Sequence, residues 1–450
     1  MHHPTLANLR QIRQDLARRL DEQAVHQACR EAGHNWRQCL LTPVAILRWF
    51  VIQVLAGNTA LTHVSLLAGR SFSDAAFCLA RARLPLAIYR AVLKGLTDAL
   101  APDTDREGRW HGHRTFLVDG SSFSMPDTPE LRSHFGLPDG PKPGCSFPVA
   151  KILATFHAGT GTLTDVIAAP LRSHEMSLVG GAHPHLAKGD ILVGDRGFSP
   201  FPHLAMLAAR GIHAVIRVHA RQIVDFTPHR PHSGLGPKGA AEGLPRSRWV
   251  KRLGEDDQVV EWIKPKSRPA WMTEAGFAEL PDSLTVREVR YRGGRPGYRT
   301  RSVTLVTTLP DGEAYPAASL ADLYGVRWGV ELDPRHLKQT MKMDVLKCKT
   351  VDGVLKELAV FGLVYNLVRA VMVEASRRQG EAVDRISFVD ALRWLGGHES
   401  GEGLPDLVVN PDRPGRVEPR VVKRRPKQYM RMTRSRAEWR KRLLGQEIAA

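Results

Sequence analysis

The chain changes its hydrophobic rhythm twice. Over residues 1 to about 105, apolar positions recur at helical spacing. LLTPVAILRWFVIQVLAG predicts a helix starting at Thr42, with Pro43 in the first turn, where a missing N–H costs nothing. FSDAAFCLARARL predicts a second helix, capped by Ser73 and stopped by Pro85, and PLAIYRAVLKGLTDALAP a third. From about residue 110 short apolar runs take over. RTFLVDG predicts a strand ending at Asp119, followed by about 30 residues rich in Pro, Gly and Ser. VAKILATFHA and LTDVIAAP flank the turn GTGT and predict a hairpin. HEMSLVGGAHPHLA is weakly helical, and GDILVGDRGF is a buried strand ending at Asp195. PFPHLAMLAARG is an amphipathic helix closed by Gly211, and HAVIRVHA is the next strand.

The second change comes at residues 222–300, where the β-prone pieces SRWVKRL, QVVEWIK and LTVREVRYR alternate with Gly- and Pro-rich turns. RSVTLVTTL returns the chain to its main fold, and helical spacing resumes in YGVRWGVELDPRHLK and in the core-type run GVLKELAVFGLVYNLVRAVMVEAS. The order β, hairpin, α, β, α, β, with an acid closing the first and fourth strands, resembles the ribonuclease H-like arrangement. The expectation is therefore an α/β (α+β) fold. A helical N-terminal domain (1–105) precedes a ribonuclease H-like catalytic core in two parts (110–221 and 301–400). A β-rich insertion (222–300) separates the parts, and a basic tail (401–450) ends the chain.

Charge narrows the function. The 450 residues carry a formal net charge of +18, which points to polyanions, nucleic acid before anionic membrane. Between Arg413 and Arg442 there are 13 Lys/Arg against 2 Asp/Glu, a net of +11. Such a tail is a common grip on nucleic acid. The five cysteines are odd in number and form no C-x-x-C pair, which argues against a disulfide framework or a zinc site and fits a reducing compartment. No run approaches the roughly 18 consecutive apolar residues of a membrane helix, and the N-terminus lacks a signal peptide's apolar stretch, so a cytoplasmic location with no membrane partner is expected.

The chemistry concentrates in Tyr324, Arg327, Glu331 and Lys338, spaced Y-x2-R-x3-E-x6-K. In one continuous helix they sit at about 0°, 300°, 340° and 320°, a single narrow face. A carboxylate between two cations and a phenol makes a poor core face and a good metal ligand set against a phosphate backbone. With Asp119 and Asp195 on strand ends, Glu331 completes an acidic triad suited to Mg2+ or Mn2+, two ions in the usual phosphodiester arrangement. Arg327 would bind phosphate bidentately and Lys338 as a point charge, while Tyr324 would hydrogen-bond a phosphate or stack on a base. Gly197 is expected to permit a tight exit from the strand. Asp127, Asp139, Asp165 and Asp190 are expected to be solvated turn or strand-edge residues, and Glu175 a surface acid. His111, His113, His183 and His185 are spaced as pairs without an evident third ligand.

These residues resemble an insertion-sequence DDE transposase of the IS-four type, a relative of the Tn-five transposase. The likeness covers nearly the whole chain and rests on VDGSSFSMPDTPEL, GDILVGDRGF, and Y-x2-R-x3-E-x6-K continued by KQTMKMDVLKCKT and YNLVR. It implies Asp119, Asp195 and Glu331 as the metal-binding triad and Tyr324, Arg327 and Lys338 as contacts to transposon-end DNA. It also implies metal-dependent excision and strand transfer on double-stranded DNA, by a homodimer assembled on inverted-repeat ends and acting on a target DNA. Some relatives flip a base onto a Trp of the insertion; Trp249, Trp262 and Trp271 are the candidates here, each with a core reading favoured by the packing habit of indoles. Pro334 departs from the pattern: inside a helix it would cost about 3 kcal/mol and kink the chain between Glu331 and Lys338 unless a break already lies there. The alternatives are a catalytically inactive DNA-binding descendant of a transposase and a ribonuclease H-like nuclease without strand transfer.

Overall fold

The computed structural model describes residues 4–139, 146–173, 175–179, 183–233, 243–292, 302–330, 335–397, 403–411 and 434–444. Seven helices open the chain: α1 (Pro4–Ile12), α2 (Gln14–Arg19), α3 (Glu22–Glu31), α4 (Pro43–Leu55), α5 (Leu61–Ala68), α6 (Asp74–Arg83) and α7 (Leu86–Arg106). The caps are those the residue types predict. Thr42 accepts from Ala45 N and Ser73 from Ala76 N, each satisfying a donor that the first turn leaves unpaired. α7 does not stop near Pro102 but runs through it to Arg106.

Then come β1 (Thr115–Ser124), α8 (Pro129–Phe135), β2 (Val149–His157), β3 (Leu163–Pro170), α9 (Glu175–Val179), β4 (Ile191–Gly194), α10 (Phe201–Ala209) and β5 (His213–Arg217). β6 (Ser247–Gly254), β7 (Asp257–Ile263), α11 (Glu274–Ala278), β8 (Ser283–Tyr291) and β9 (Val303–Thr307) follow. The chain continues with α12 (Ala317–Val330), a π-helical turn at His336–Thr340, α13 (Val351–Gln379), α14 (Phe388–Gly396) and α15 (Arg436–Leu443).

The nine strands among the described residues join one mixed sheet in the order β3-β2-β1-β4-β5-β9-β8-β7-β6. β1, β4 and β5 are mutually parallel neighbours, and every other pairing is antiparallel. The expected strands of residues 222–300 are present as β6 to β8. They lengthen the main sheet, because β9 returns to pair with both β8 and β5.

Strand alternation splits the core in two. Leu117, Ile191, Val193 and Val215 face a layer built from α4, α7, α12, α13 and α14, while Phe116, Val118, Leu192 and Ile216 face α10 and its neighbours. The N-terminal helices share the first of these cores with α13. α13 has the length and hydropathy of a membrane span, yet 94% of its apolar window is buried inside the protein. The segment after residue 402 also packs inward: Leu404 and Leu407 are buried, and Val409 bridges to Ile386.

Candidate active site

The site lies where the parallel strands end. β1 and β4 pair with Thr115 opposite Ile191, Phe116 opposite Leu192 and Leu117 opposite Val193. Carried two residues further, that register sets Asp119 level with Asp195, on adjacent strands about 4.8 Å apart. Odd-numbered residues of both strands point to the face covered by α12 and α13, so both acids belong to that face. β1 does not end at Asp119; it runs on to Ser124, paired with β2 throughout. What ends near Asp119 is the partner strand β4, and this exposes the acid at the sheet's interior edge.

An ion pair sets the register. Arg114 and Asp190 each immediately precede a strand, and Arg114 grips both Asp190 oxygens, Nε to Oδ1 at 2.8 Å and Nη2 to Oδ2 at 2.7 Å. Asp190 Oδ2 also accepts from Ala187 N at 2.7 Å, and Ile191 N donates to Arg114 O at 2.9 Å. Asp190, expected in solvent, is 3% exposed. It ties the starts of β1 and β4 together, and the offset it enforces is the one that brings Asp119 and Asp195 side by side. Asp127 is likewise no solvated acid: its side chain is 8% exposed and pairs with Arg132 and Arg436. Asp165 is half-buried, and burial pushes its carboxyl above the ordinary range, whereas Asp139 is exposed as expected.

Asp195 is half-buried and caps a short 3-10 turn, its Oδ1 accepting from Gly197 N at 2.8 Å. Gly197 is not at positive φ, so its contribution is this N–H. The glycine required by space is Gly194, where a Cβ would come within 3.1 Å of Val118 Cγ1 and 3.2 Å of Phe198 Cβ. Among the described residues no second donor engages Asp195.

α12 crosses this strand end in contact with β4, β5 and β8. Tyr324 is 1% exposed. Its phenol is held above the ordinary tyrosine range mainly by burial, against the pull of Arg327 and Arg217, and the Asp195 charge adds to the rise. The Arg327 guanidinium lies 5.7 Å from the Tyr324 ring centroid, close enough for its charge to act on the phenol. Arg217, unremarked in the sequence, closes β5 on the same face as Val215 and acts electrostatically on both Tyr324 and Tyr291. The period-2 pattern of HAVIRVHA was the available signal, since it puts Arg217 on the face of the two acids.

Lys338 departs from the single-helix expectation. α12 is described to Val330, and Lys338 lies half-buried in the π-helical turn, which holds more residues than 100° steps assume. Glu331 and Pro334 lie outside the described residues. Of the indoles, Trp262 is a core residue, 5% exposed with Nε1 donating to Glu288 at 2.9 Å; Trp249 and Trp271 are half-buried. Both ring nitrogens of His113 are engaged, by Gly189 O at 2.6 Å and Tyr315 Oη at 2.8 Å. Among the described residues no group of three His, Cys, Asp or Glu side chains is placed to hold a metal ion. Two carboxylates at one level remain, an all-oxygen donor set that fits part of a hard divalent site.

Residues 110–367 match the model of the transposase DDE domain. The chain is 24% identical over 439 residues to the transposase InsG for insertion sequence element IS4 of Escherichia coli (strain K12), covering 91% of this chain and 92% of that protein. It also superposes, at 12% identity and a TM-score of 0.43, on the piggyBac transposase in its synaptic complex with hairpin DNA, over 88% of this chain and 80% of that one. A domain match that spans more than half the chain places it plainly: this protein belongs to the DDE-domain transposase family, and it is a DNA transposase.

Proposed function

We propose that Asp119, Asp195 and Glu331 form the catalytic and metal-binding triad of this transposase, with Mg2+ or Mn2+, two ions, as cofactor. The observation that carries the reading is the clamped β1/β4 register, which sets two carboxylates level where the parallel strands end. When bound, such ions activate an attacking oxygen and stabilise the leaving one. The chain's own residues do the rest. Asp119 and Asp195 supply oxygens from strands that cannot slide, because Arg114 and Asp190 tie their starts. Glu331, one residue beyond the last of α12, would bring the third carboxylate. Arg327 and Arg217 would neutralise phosphate charge beside the acids, with the Tyr324 ring packed against the Arg327 guanidinium. Lys338 would meet a phosphate further along the strand.

The strand order β3-β2-β1-β4-β5, with only β2 running against its two neighbours and β3 following it in the hairpin, supports a ribonuclease H-like core in residues 110–221 and 301–400. Residues 222–300 form its insertion, 1–105 a helical domain and 401–450 the tail. The partners are double-stranded inverted-repeat ends and a target DNA, bound by a homodimer in the cytoplasm.

The test is cleavage of a labelled duplex carrying the element's own ends, with Mg2+ and with EDTA, for wild type and Glu331→Gln. Metal-dependent nicking at the ends that the substitution abolishes is expected. Tight end binding without cleavage in the wild type would favour a catalytically inactive descendant, and Pro334→Leu would then be tried for rescue. Cleavage without strand transfer would favour a plain nuclease.

A further inference from the structure

We propose that α15 and the loop 342–349 form one phosphate-binding surface that grips duplex DNA beyond the triad, with the Arg436–Asp127 pair pinning α15 in place. The inference rests on the transposase reading and adds a surface to it.

α15 is a short, strongly basic helix. Its eight residues, RAEWRKRL, are too few to be stable alone. Two devices hold it. Ser435 Oγ accepts from Glu438 N at 3.2 Å, the S-x-x-E cap. Arg436 Nη1 donates to Asp127 Oδ2 at 3.0 Å and to Ser146 O at 2.8 Å, and its guanidinium stands 3.7 Å from the Phe147 ring centroid. The cations beyond the pin, Arg440, Lys441 and Arg442, and Arg434 before it, are exposed. Trp439 is also partly exposed, with the Arg442 guanidinium 5.4 Å from its ring centroid.

The pin sits at the active end of the sheet. Asp127 follows β1 by three residues, and Thr128 Oγ1 donates to Lys349 O at 3.1 Å. Ser124, the last residue of β1, exchanges hydrogen bonds with Asp344 O and Leu346 N, both 2.9 Å. The loop so attached exposes Lys342 and Lys349 and is itself rigid: buried Glu357 accepts from Lys347 N and Cys348 N, and also from Asn58 Nδ2 at 2.7 Å. Against these cations stand the exposed acids Asp344, Glu438 and Glu130, the last accepting from Val351 N. β1 runs five residues from Asp119 to Ser124, roughly 16 Å at strand rise. A duplex whose scissile phosphate lay at the acids and whose axis followed β1 would reach this end of the strand within about half a helical turn. Cations on a helix and a loop that the buried acids Asp127 and Glu357 hold there are placed for its backbone.

The experiment measures full-length protein binding to an end-bearing duplex in EDTA, by anisotropy, over a salt series. The comparison is between wild type, Arg440→Gln/Lys441→Gln/Arg442→Gln, Asp127→Asn, and a control, Lys94→Gln, at an exposed cation of α7. The triple variant should bind about tenfold or more weaker, with the salt slope reduced by about 2. Asp127→Asn, checked for folding by thermal melt, should weaken binding although every α15 charge remains, and the control should bind as wild type. A triple variant with wild-type affinity and slope overturns the surface. A folded Asp127→Asn with wild-type affinity overturns the pin. A wild type that binds no DNA overturns the transposase reading and this inference together.

Discussion

The two halves of the sheet treat their acids differently. In the half built by β7 and β8, Glu288 is 0% exposed, and its two oxygens accept from Trp262 Nε1 at 2.9 Å and Gln258 Nε2 at 2.8 Å. Burial pushes its carboxyl above the usual range, against the pull of those bonds. Asp257 is spent as well, paired through both oxygens with Arg287, which also donates to Asp311 O and Tyr315 O. In the half built by β1, β4 and β5, Asp190 is consumed by Arg114, but Asp195 meets a single backbone N–H among the described residues. Acids saturated by the chain's own donors hold the fold; an acid at a strand end with acceptor capacity left over is available for chemistry.

The largest effect is expected at Asp195. Asn there is expected to lower metal-dependent end cleavage by about 10³-fold or more while end binding stays within a few-fold, because the loss is of catalysis rather than folding. A fall in stability with unchanged cleavage per folded molecule would reverse the assignment. In the other half, Asp257→Ala leaves a buried guanidinium unpaired and should cost about 3–5 kcal/mol in denaturant unfolding. Cleavage by the folded fraction should then be unaltered, and selective loss of cleavage would remove the distinction between the halves.

Acid should loosen the halves in order. Burial holds His157 and His203 down to about 4 and His183 to about 3, all in the β1–β5 half or its helices. Their folded pKa values lie below the unfolded value near 6.5. Unfolded chains therefore bind more protons between about pH 4 and 6.5, and stability falls as pH drops through that window. His203 alone contributes on the order of 3 kcal/mol. Glu288 has the opposite sign: its folded pKa is raised, so its contribution is lost as pH rises, not as it falls. Hydrogen exchange from pH 6.5 to 4 should release β1–β5 amides before those of β7 and β8, and the reverse order would mean that the buried histidines do not govern acid stability. The smallest effect is expected from Tyr324→Phe, which removes one buried phenol from Arg327. About 1 kcal/mol of stability should go, with end affinity nearly unchanged. A large loss of affinity would mean that the ring leaves its pocket to meet DNA.

Much of this was legible without coordinates. The caps at Thr42 and Ser73, the hairpin around GTGT, the strands of residues 222–300 and the strand carrying GDILVGDRGF all follow from local residue types and periodicity, because those forces act within a few residues. The readings of Asp190 and Asp127 failed where a partner distant in sequence decides. Asp190 and Asp127 look like loop acids until Arg114 is brought to one and Arg436, 309 residues away, to the other. Lys338 fits one helical face only if the helix is uninterrupted, and its described surroundings are a π-helical turn.

What the sequence determined by itself was the kind of molecule: strand and helix order, a basic surplus, and Asp195 at the end of a strand within a DDE-type pattern. Tertiary structure alone decided which acids are spent and which are available, since that depends on the donors that folding delivers. It also decided that residues 222–300 extend the main sheet through β9 and that Arg217 shares a sheet face with Asp119 and Asp195. A side chain's identity travels with the chain, whereas its hydrogen-bond partners, burial and register exist only after distant segments have met.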